Sequence, residues 1–331
     1  MYDTLKKINF LISKSQRKKL IVLTVLLFVG MILEFFGLGI LVPVLNILID
    51  PSAYAQNQYF ESLREFFKGI SDQSFILYLL GFIVVFYVAK SCFLVLLTFK
   101  QNRFLSFLNA SIINKLFSSY MNQPYDYHLK INSSDLVKNL QIEAGYFFTF
   151  ITSLINVFIE GGLILSVFIT LIIIEPLGTL ILSIFLLILT IIFYQLTKSR
   201  LDLWGQTRQE LDLNSAKTVT EGLGAIRDLI ISRKIDFFTK KYNDLSFKKA
   251  RITSNHILLT QLPRFYFELA SISGLVLFIF ILIISGKSTT DLIATLGVFV
   301  AGVFRALPSL NRIVTSLQNL KFYKSSVDII Y

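Results

Sequence analysis

Apolar runs separated by two long stretches of mixed character lay out the plan of this chain. Six runs qualify: Leu20 to Ile49, Phe75 to Phe99, Phe147 to Ile174, Leu177 to Leu196, Ile257 to Ile284 and Leu292 to Leu307. A bilayer core is crossed by about 20 helical residues, so each run is a candidate transmembrane helix. Only the third and fourth lack a polar loop between them. There Glu175-Pro176 interrupts the run, because proline disfavours helix at the residue before it and a carboxylate is costly in lipid. A tight hairpin is predicted.

The stretches after the second and fourth runs take about 47 and 60 residues. Both keep apolar positions at helical spacing, as in Ile113, Leu116, Phe117 and Tyr120, or Leu201, Trp204, Leu211, Ile226 and Ile230. The spans are therefore expected to continue as helical arms, and 25 residues of helix reach about 37 Å beyond the bilayer. Near the turn of each arm lies a short polar segment, Asn122 to His128 in the first and Glu221 to Asp228 in the second.

Three further patterns complete the set. Leu5, Ile8 and Ile12 recur among lysines at helical spacing, which predicts a short helix in the headgroup plane. Between the first two runs, Phe60, Leu63, Phe67 and Ile70 share one helical face, so Tyr59 to Ile70 reads as a short amphipathic helix, which on amphipathicity alone can be a cap packed on the bundle. Leu292 to Tyr331 begins apolar, meets Arg305, Pro308 and Arg312, and turns amphipathic through Leu317, Leu320 and Phe322. It is expected to form one helix that leaves the membrane and carries on.

Composition fixes the class. Of 331 residues 54% are hydrophobic and only 16% charged, with a mean hydropathy of +0.66, which is too apolar for a soluble domain of this length. The expected fold class is an all-α membrane protein with six transmembrane helices and long cytoplasmic helical extensions. The one cysteine, Cys92, is assigned to packing, and His128 and His256 to interfacial or helix-surface positions without a metal role. A signal peptide is excluded by the length of the first run and the absence of a cleavage site after it.

Lysine and arginine counts set the orientation. The N-terminal segment, the two long connections and the tail from Arg305 hold 27, whereas Arg64, Lys68 and Lys287 stand on the other side and Lys90 and Arg264 lie within spans. By the positive-inside rule both termini and both long connections are cytoplasmic.

Several short segments carry a family resemblance. Gln123-Pro124 opens the first inner turn, and Glu221-Gly-Leu-Gly-Ala-Ile-Arg227 occupies the second. With six spans, short outer turns and long inner arms, these resemble the transmembrane domain of an ABC exporter over nearly the whole chain, 1–331. Pro263-Arg-Phe-Tyr-Phe-Glu268, Arg305 to Ile313 and Ser325-Ser-Val-Asp-Ile-Ile-Tyr331 further resemble the bacterial flippase of lipid-linked oligosaccharides used in protein N-glycosylation. That resemblance implies a homodimer in the bacterial cytoplasmic membrane, moving a polyprenyl-diphosphate-linked glycan. It also implies an external helix at Phe60, Leu63 and Phe67 that engages the lipid tail. Tyr125, Asp126, Tyr127 and His128, together with Gly222, Ile226 and Arg227, would be coupling elements docked on a nucleotide-binding ATPase domain, which supplies ATP and Mg. No nucleic-acid partner is expected.

The sequence departs from that family in one respect. Gly286-Lys287-Ser288 is the only Gly-Lys-Ser, and a phosphate loop needs a glycine where Ile281 stands. These 331 residues are thus expected to be no enzyme by themselves, with the motor fused beyond Tyr331 or carried on a separate chain.

Glu34, Glu160, Glu268, Lys90, Arg264 and Arg305 lie at membrane depth, where ionisable residues usually face a bundle interior or a cavity. Arg264 and Glu268 stand four apart and can pair on one helix. Lys90 can pair or snorkel, while Glu34 and Glu160 have no local partner. The predicted diphosphate site is Arg305 and Arg312, about 20 and 30 Å down the sixth span, with Arg264 about 10 Å from the inner boundary. Guanidinium groups match phosphate oxygens bidentately and keep their charge when desolvated. Pairing of Arg305 with Glu34 or Glu160 is the rival reading. Other lipid, peptide or drug cargo stays open, as does a six-span secondary transporter, although no internal repeat or discontinuous helix pair is present to favour it. A membrane enzyme has no His, Cys or Asp cluster on any loop to work with.

Overall fold

A computed structural model describes residues 13–49, 72–174, 176–284 and 289–331. These are helical nearly throughout, with no strand among the described residues. The elements are α1 (Lys14–Ile49), α2 (Asp72–Met121), α3 (Tyr125–Lys130), α4 (Ser133–Lys138), a π-helical turn (Asn139–Glu143), α5 (Ala144–Ile174), α6 (Pro176–Gly224), α7 (Ile226–Ile231), α8 (Ile235–Ile284), α9 (Thr289–Phe322) and α10 (Lys324–Ile330). The segments predicted around Leu5, Ile8 and Ile12, around Phe60, Leu63 and Phe67, and at Gly286 to Ser288 lie outside the described residues.

Helix α1 starts where its sequence supplies a reciprocal cap. The Ser13 N–H donates to Gln16 Oε1 at 2.8 Å, and the Gln16 N–H donates to Ser13 Oγ at 3.4 Å, which satisfies donors that a first turn leaves open. At the other end of the plan, α2 and α8 each run for 50 residues. At 1.5 Å per residue that is about 75 Å, more than twice a hydrocarbon core. The expected helical arms are therefore present. The returning part of the first arm is segmented, running through α4 and the π-helical turn into α5.

Five helices are long and apolar enough to cross a membrane among the described residues: Lys14–Gly37, Leu77–Met121, Ser133–Ile173, Pro176–Gly224 and Ile235–Phe280. Their outward faces carry bare apolar side chains, such as Phe28 on α1, Val85 and Val95 on α2 and Leu187 on α6. Cys92 belongs to this exposed surface and not to the packing to which its sequence assigns it. The run Leu292 to Leu307 forms the first half of α9.

Helix α9 sits centrally, packed on α5, α8, α6 and α1. Two cores hold it. In one, Phe278 of α8 stacks on Phe299 of α9 at 3.9 Å between ring centroids, beside Leu171 and Leu182. In the other, Phe104, Leu105 and Leu108 of α2 meet Phe147, Phe150 and Ile151 of α5 and receive Val327 and Ile330 of α10. The single helix expected from Leu292 to Tyr331 is thus two helices. It ends at Phe322, turns at Tyr323, and resumes as α10 so that Val327 and Ile330 are buried against α5 and α2. A straight continuation is not what forms, because burying two aliphatic side chains outweighs the one turn of helix that the break interrupts.

Candidate functional site

Arg305 and Arg312 stand seven residues apart on α9, two turns and about 10 Å along one face. Each meets a carboxylate from another helix. Glu34 of α1, 1% exposed, accepts from Lys90 Nζ of α2 at 2.8 Å and from Arg305 Nε at 2.9 Å. Its Oε1 accepts from Arg305 Nη2, so the guanidinium grips both oxygens. Glu160 of α5 pairs with Arg312 Nη1 at 3.0 Å, the arginine side chain remaining 57% exposed.

The rival reading of Arg305 is therefore realised as geometry, with Glu34 as its partner. Lys90 does not snorkel; it is 7% exposed and its ammonium also lies 4.7 Å from the Tyr87 ring centre. The approach of α1 and α2 that creates this pair is tight, since a Cβ on Gly37 would stand 2.9 Å from Lys90 Nζ. Arg264 and Glu268 are both exposed on α8, and no ion pair joins them among the described residues. Arg264 stays outside the cluster formed by the other two arginines.

Two spaces border α9 on different sides, the first of them reached by Arg312 and neither lined by Arg305. A cleft of about 340 Å³ between α5 and α9 is lined by hydroxyl and amide side chains, among them Thr152, Ser153, Asn156, Asn311 and Asn319, with Arg312 at its edge. A groove of about 520 Å³ runs between α5, α6 and α9, and is apolar along Phe168, Leu186, Val303, Ala306 and Leu310. Three cations (Lys90, Arg305, Arg312) face two carboxylates (Glu34, Glu160), which leaves the cluster one positive charge in surplus. Such a site can attract an anion through guanidinium nitrogens already held in place. Among the described residues no three His, Cys, Asp or Glu side chains come together as metal ligands.

At the arm tips, α3 and α7 are single short helices. Pro124 precedes α3, the Ile131 N–H closes its end on Tyr127 O, and Asn132 then caps α4 by accepting the Ser134 N–H at 3.1 Å. Tyr125, Asp126, His128 and Leu129 are exposed on α3, with Tyr127 partly covered. Gly222 lies in the last turn of α6, and Ile226 and Arg227 open α7, where Ile230 and Ile231 are also exposed. Arg233 leaves α7 in the left-handed region, φ 56°, while the Lys234 N–H closes the helix end on Leu229 O at 3.0 Å. Both tips thus present bare apolar side chains.

Sequence patterns miss a third cluster, deep in the arms. The π-helical turn delivers Glu143, fully buried, to Ser326 of α10, whose hydroxyl donates to Glu143 Oε2 at 2.6 Å. Arg208 of α6 lies beneath, 3.7 Å from Glu143 and 4.0 Å from Asp212, and donates to Ser326 Oγ at 3.1 Å. Its guanidinium carbon stands 3.8 Å from the Tyr146 ring centre and 5.1 Å from that of Tyr323. Asp212 also takes Lys249 of α8. Burial pushes the Tyr323 phenol above its ordinary range, with Arg208 acting in the opposite sense. His256, read from sequence as a surface residue, is buried and stacks on Phe322 at 3.8 Å.

The family model of the ABC transporter transmembrane region matches residues 36–307, a stretch that runs from the first long helix past Arg305 and includes both arm tips. Transmembrane regions of this kind typically work with nucleotide-binding domains. With a match over most of its length and an architecture of long apolar helices, the chain belongs to the family of ABC transporter transmembrane regions.

Proposed function

We propose that this membrane half of an ABC exporter crosses the bilayer six times, acts as a homodimer, and flips a polyprenyl-diphosphate-linked glycan, with ATP and Mg bound by a nucleotide-binding domain, fused or separate. The observation that carries the reading is the position of Arg305 and Arg312, two turns apart on one face of α9 and both open to solvent or lipid to a third or more of their side chains. A diphosphate needs fixed cations, a glycan needs hydroxyl and amide partners, and a polyprenyl tail needs an apolar wall. The two guanidinium groups and the polar cleft at Arg312 support the first two requirements, and the apolar groove along Val303, Ala306 and Leu310, on another side of α9, supports the third. Glu34 and Glu160 hold the guanidinium groups in place until phosphate oxygens compete for them. Arg264 is the third candidate, reached from α8.

The test is reconstitution with the motor in vesicles. Arg305→Ala and Arg312→Ala are expected to abolish flipping of the lipid-linked glycan while basal ATP hydrolysis and thermal stability persist. Stability is expected to persist because Lys90 remains on Glu34 at 2.8 Å when Arg305 is removed. Loss of the folded protein would make the arginines structural partners of the two glutamates and move the headgroup site elsewhere.

A further inference from the structure

Between α1 and α2, apart from the spaces beside α9, lies a groove of about 540 Å³. One wall is apolar, formed by Val22, Leu23 and Leu26 of α1 and by Phe104, Phe107 and Leu108 of α2. The rim carries Lys18, Lys19, Lys100 and Arg103. Helix spacing places Lys19 about 10 Å along the axis from Leu26, so charge lies toward one end and hydrocarbon toward the other.

The charge at this rim has no counterpart among the described residues. None of the four cations makes an ion pair among the described residues; Arg103 only rests over the Phe107 ring, 5.7 Å from its centre. The reason is visible in the chain. From Ser13 to Leu33 and from Gln73 to Tyr125 there is no aspartate or glutamate. Four positive charges on two adjacent helices repel one another, and each nearby hydrocarbon wall lowers the local dielectric and strengthens that repulsion. A negative charge brought from outside relieves it.

We propose that this groove is a binding site for an anionic membrane phospholipid of the leaflet on that side, its phosphate held by Lys18, Lys19, Lys100 and Arg103 and one acyl chain lying on Val22, Leu26 and Phe107. The occupant is a lipid and not a soluble anion because the wall beside the cations is apolar and Phe107 is 65% exposed. A free phosphate would leave that wall uncovered. Basic side chains at a membrane surface attract anionic lipid by an amount equivalent to several-fold in binding per residue, so four in one groove give selectivity of at least about tenfold.

The test uses the full chain in phosphatidylcholine vesicles containing about one-fifth phosphatidylglycerol, with spin-labelled versions of each lipid as the probe. Wild type is expected to bind phosphatidylglycerol at least about tenfold more tightly than phosphatidylcholine. The quadruple variant Lys18→Gln, Lys19→Gln, Lys100→Gln, Arg103→Gln should lose that preference. A control with Lys217, Lys234, Lys240 and Lys248 changed to Gln should keep it, as should a variant in which Lys18, Lys19 and Lys100 become Arg. A photoreactive phenylalanine analogue at Phe107 in the otherwise unchanged chain should crosslink phosphatidylglycerol in preference to phosphatidylcholine, whatever the folding yield of the quadruple variant. Inorganic phosphate at millimolar concentration should not displace the lipid; if it does, the groove is an anion site and the proposal fails. If wild type shows no preference and deletion of residues 2–12 creates one, the chain's own N-terminal segment occupies the groove and the proposal fails as well.

Discussion

Gln318 of α9 donates its side-chain amide to the backbone carbonyl of Leu259 on α8, at 3.1 Å. That carbonyl is an acceptor without a helical donor, because the residue four positions on is Pro263, which has no N–H. The side chain of one helix thus completes the hydrogen bonding of another, and Gln318 is fully buried while doing so. One residue along α8, the Thr315 hydroxyl donates to Thr260 O at 3.2 Å and adds a second bond between the same two helices.

The first prediction follows from that pairing. Gln318→Leu leaves a buried carbonyl unsatisfied, at a cost of about 1–3 kcal/mol. In a Pro263→Ala background the new N–H at residue 263 takes over the carbonyl, so the same change should cost distinctly less. Thermal unfolding of the four proteins in detergent forms the double-mutant cycle. Additive losses would show that the amide does not answer the proline.

Topology gives the second prediction. Cysteine at Asn57 or Ser288, in a Cys92→Ala background, is expected to label with a membrane-impermeant thiol reagent in intact cells, and cysteine at Ser133 or Asn214 is not. The expectation rests on 27 lysines and arginines against 3. Labelling of the second pair in unbroken cells would reverse the orientation. Cys92 is removed because it is a free cysteine exposed on α2.

Helix type and arm length are legible in the sequence because both depend on neighbours along the chain: apolar residues recurring at three and four positions, and runs longer than a bilayer needs. The pairings are not, because they join residues far apart. Glu34 meets Lys90 across 56 positions and Arg305 across 271. No local pattern distinguishes a carboxylate that will find such partners from one that will not. The break at Tyr323 is hidden for a related reason. Lys324-Ser-Ser contains neither glycine nor proline, and the turn forms only because Ser326, Val327 and Ile330 have a buried surface to reach. Arg208 and Asp212 stand four apart and offer a hint of a shared face, yet Glu143 and Ser326, which complete the cluster, lie 183 positions from each other.

A third prediction concerns the arm tips. Tyr127, half-buried, and Ile226, exposed, belong to short helices that also leave Tyr125, Leu129, Ile230 and Ile231 exposed, and a socket on a partner buries such residues well. Tyr127→Glu or Ile226→Glu should uncouple ATP hydrolysis from transport in reconstituted vesicles, with the amount of folded protein unchanged. Since neither side chain supports a core, destabilisation is not expected to contribute. Transport that continues at the wild-type ratio to ATP consumed would remove the docking role.

The last prediction tests what holds α10 against the arms. Two features converge there: the Arg208, Glu143 and Ser326 contacts, and the approach of α6 to the end of α9 at Gly205, where an added Cβ would collide with the backbone carbonyl of Phe322. A backbone carbonyl cannot swing aside as a side chain can, so Gly205→Ala should displace Phe322 and the turn at Tyr323 that follows it. Arg208→Met has a different effect, since it leaves Glu143 with Lys138 at 3.7 Å and Asp212 with Lys249, and removes the cation stacked against Tyr146. Breaking a buried ion pair from one side costs about 3–5 kcal/mol when the remaining charge is left unpaired, so with Lys138 and Lys249 in place the loss should fall below that. Amide exchange across Lys324 to Ile330 separates the two mechanisms. In Gly205→Ala the exchange should quicken in α10 while α5 and α6 stay protected, whereas in Arg208→Met it should quicken in α10 and around Glu143 together. Ser326→Ala, which removes only the hydroxyl between Arg208 and Glu143, should fall between wild type and both. If α10 exchanges at the wild-type rate in all three, Val327 and Ile330 alone anchor it, and the buried charges serve the contact between α5 and α6.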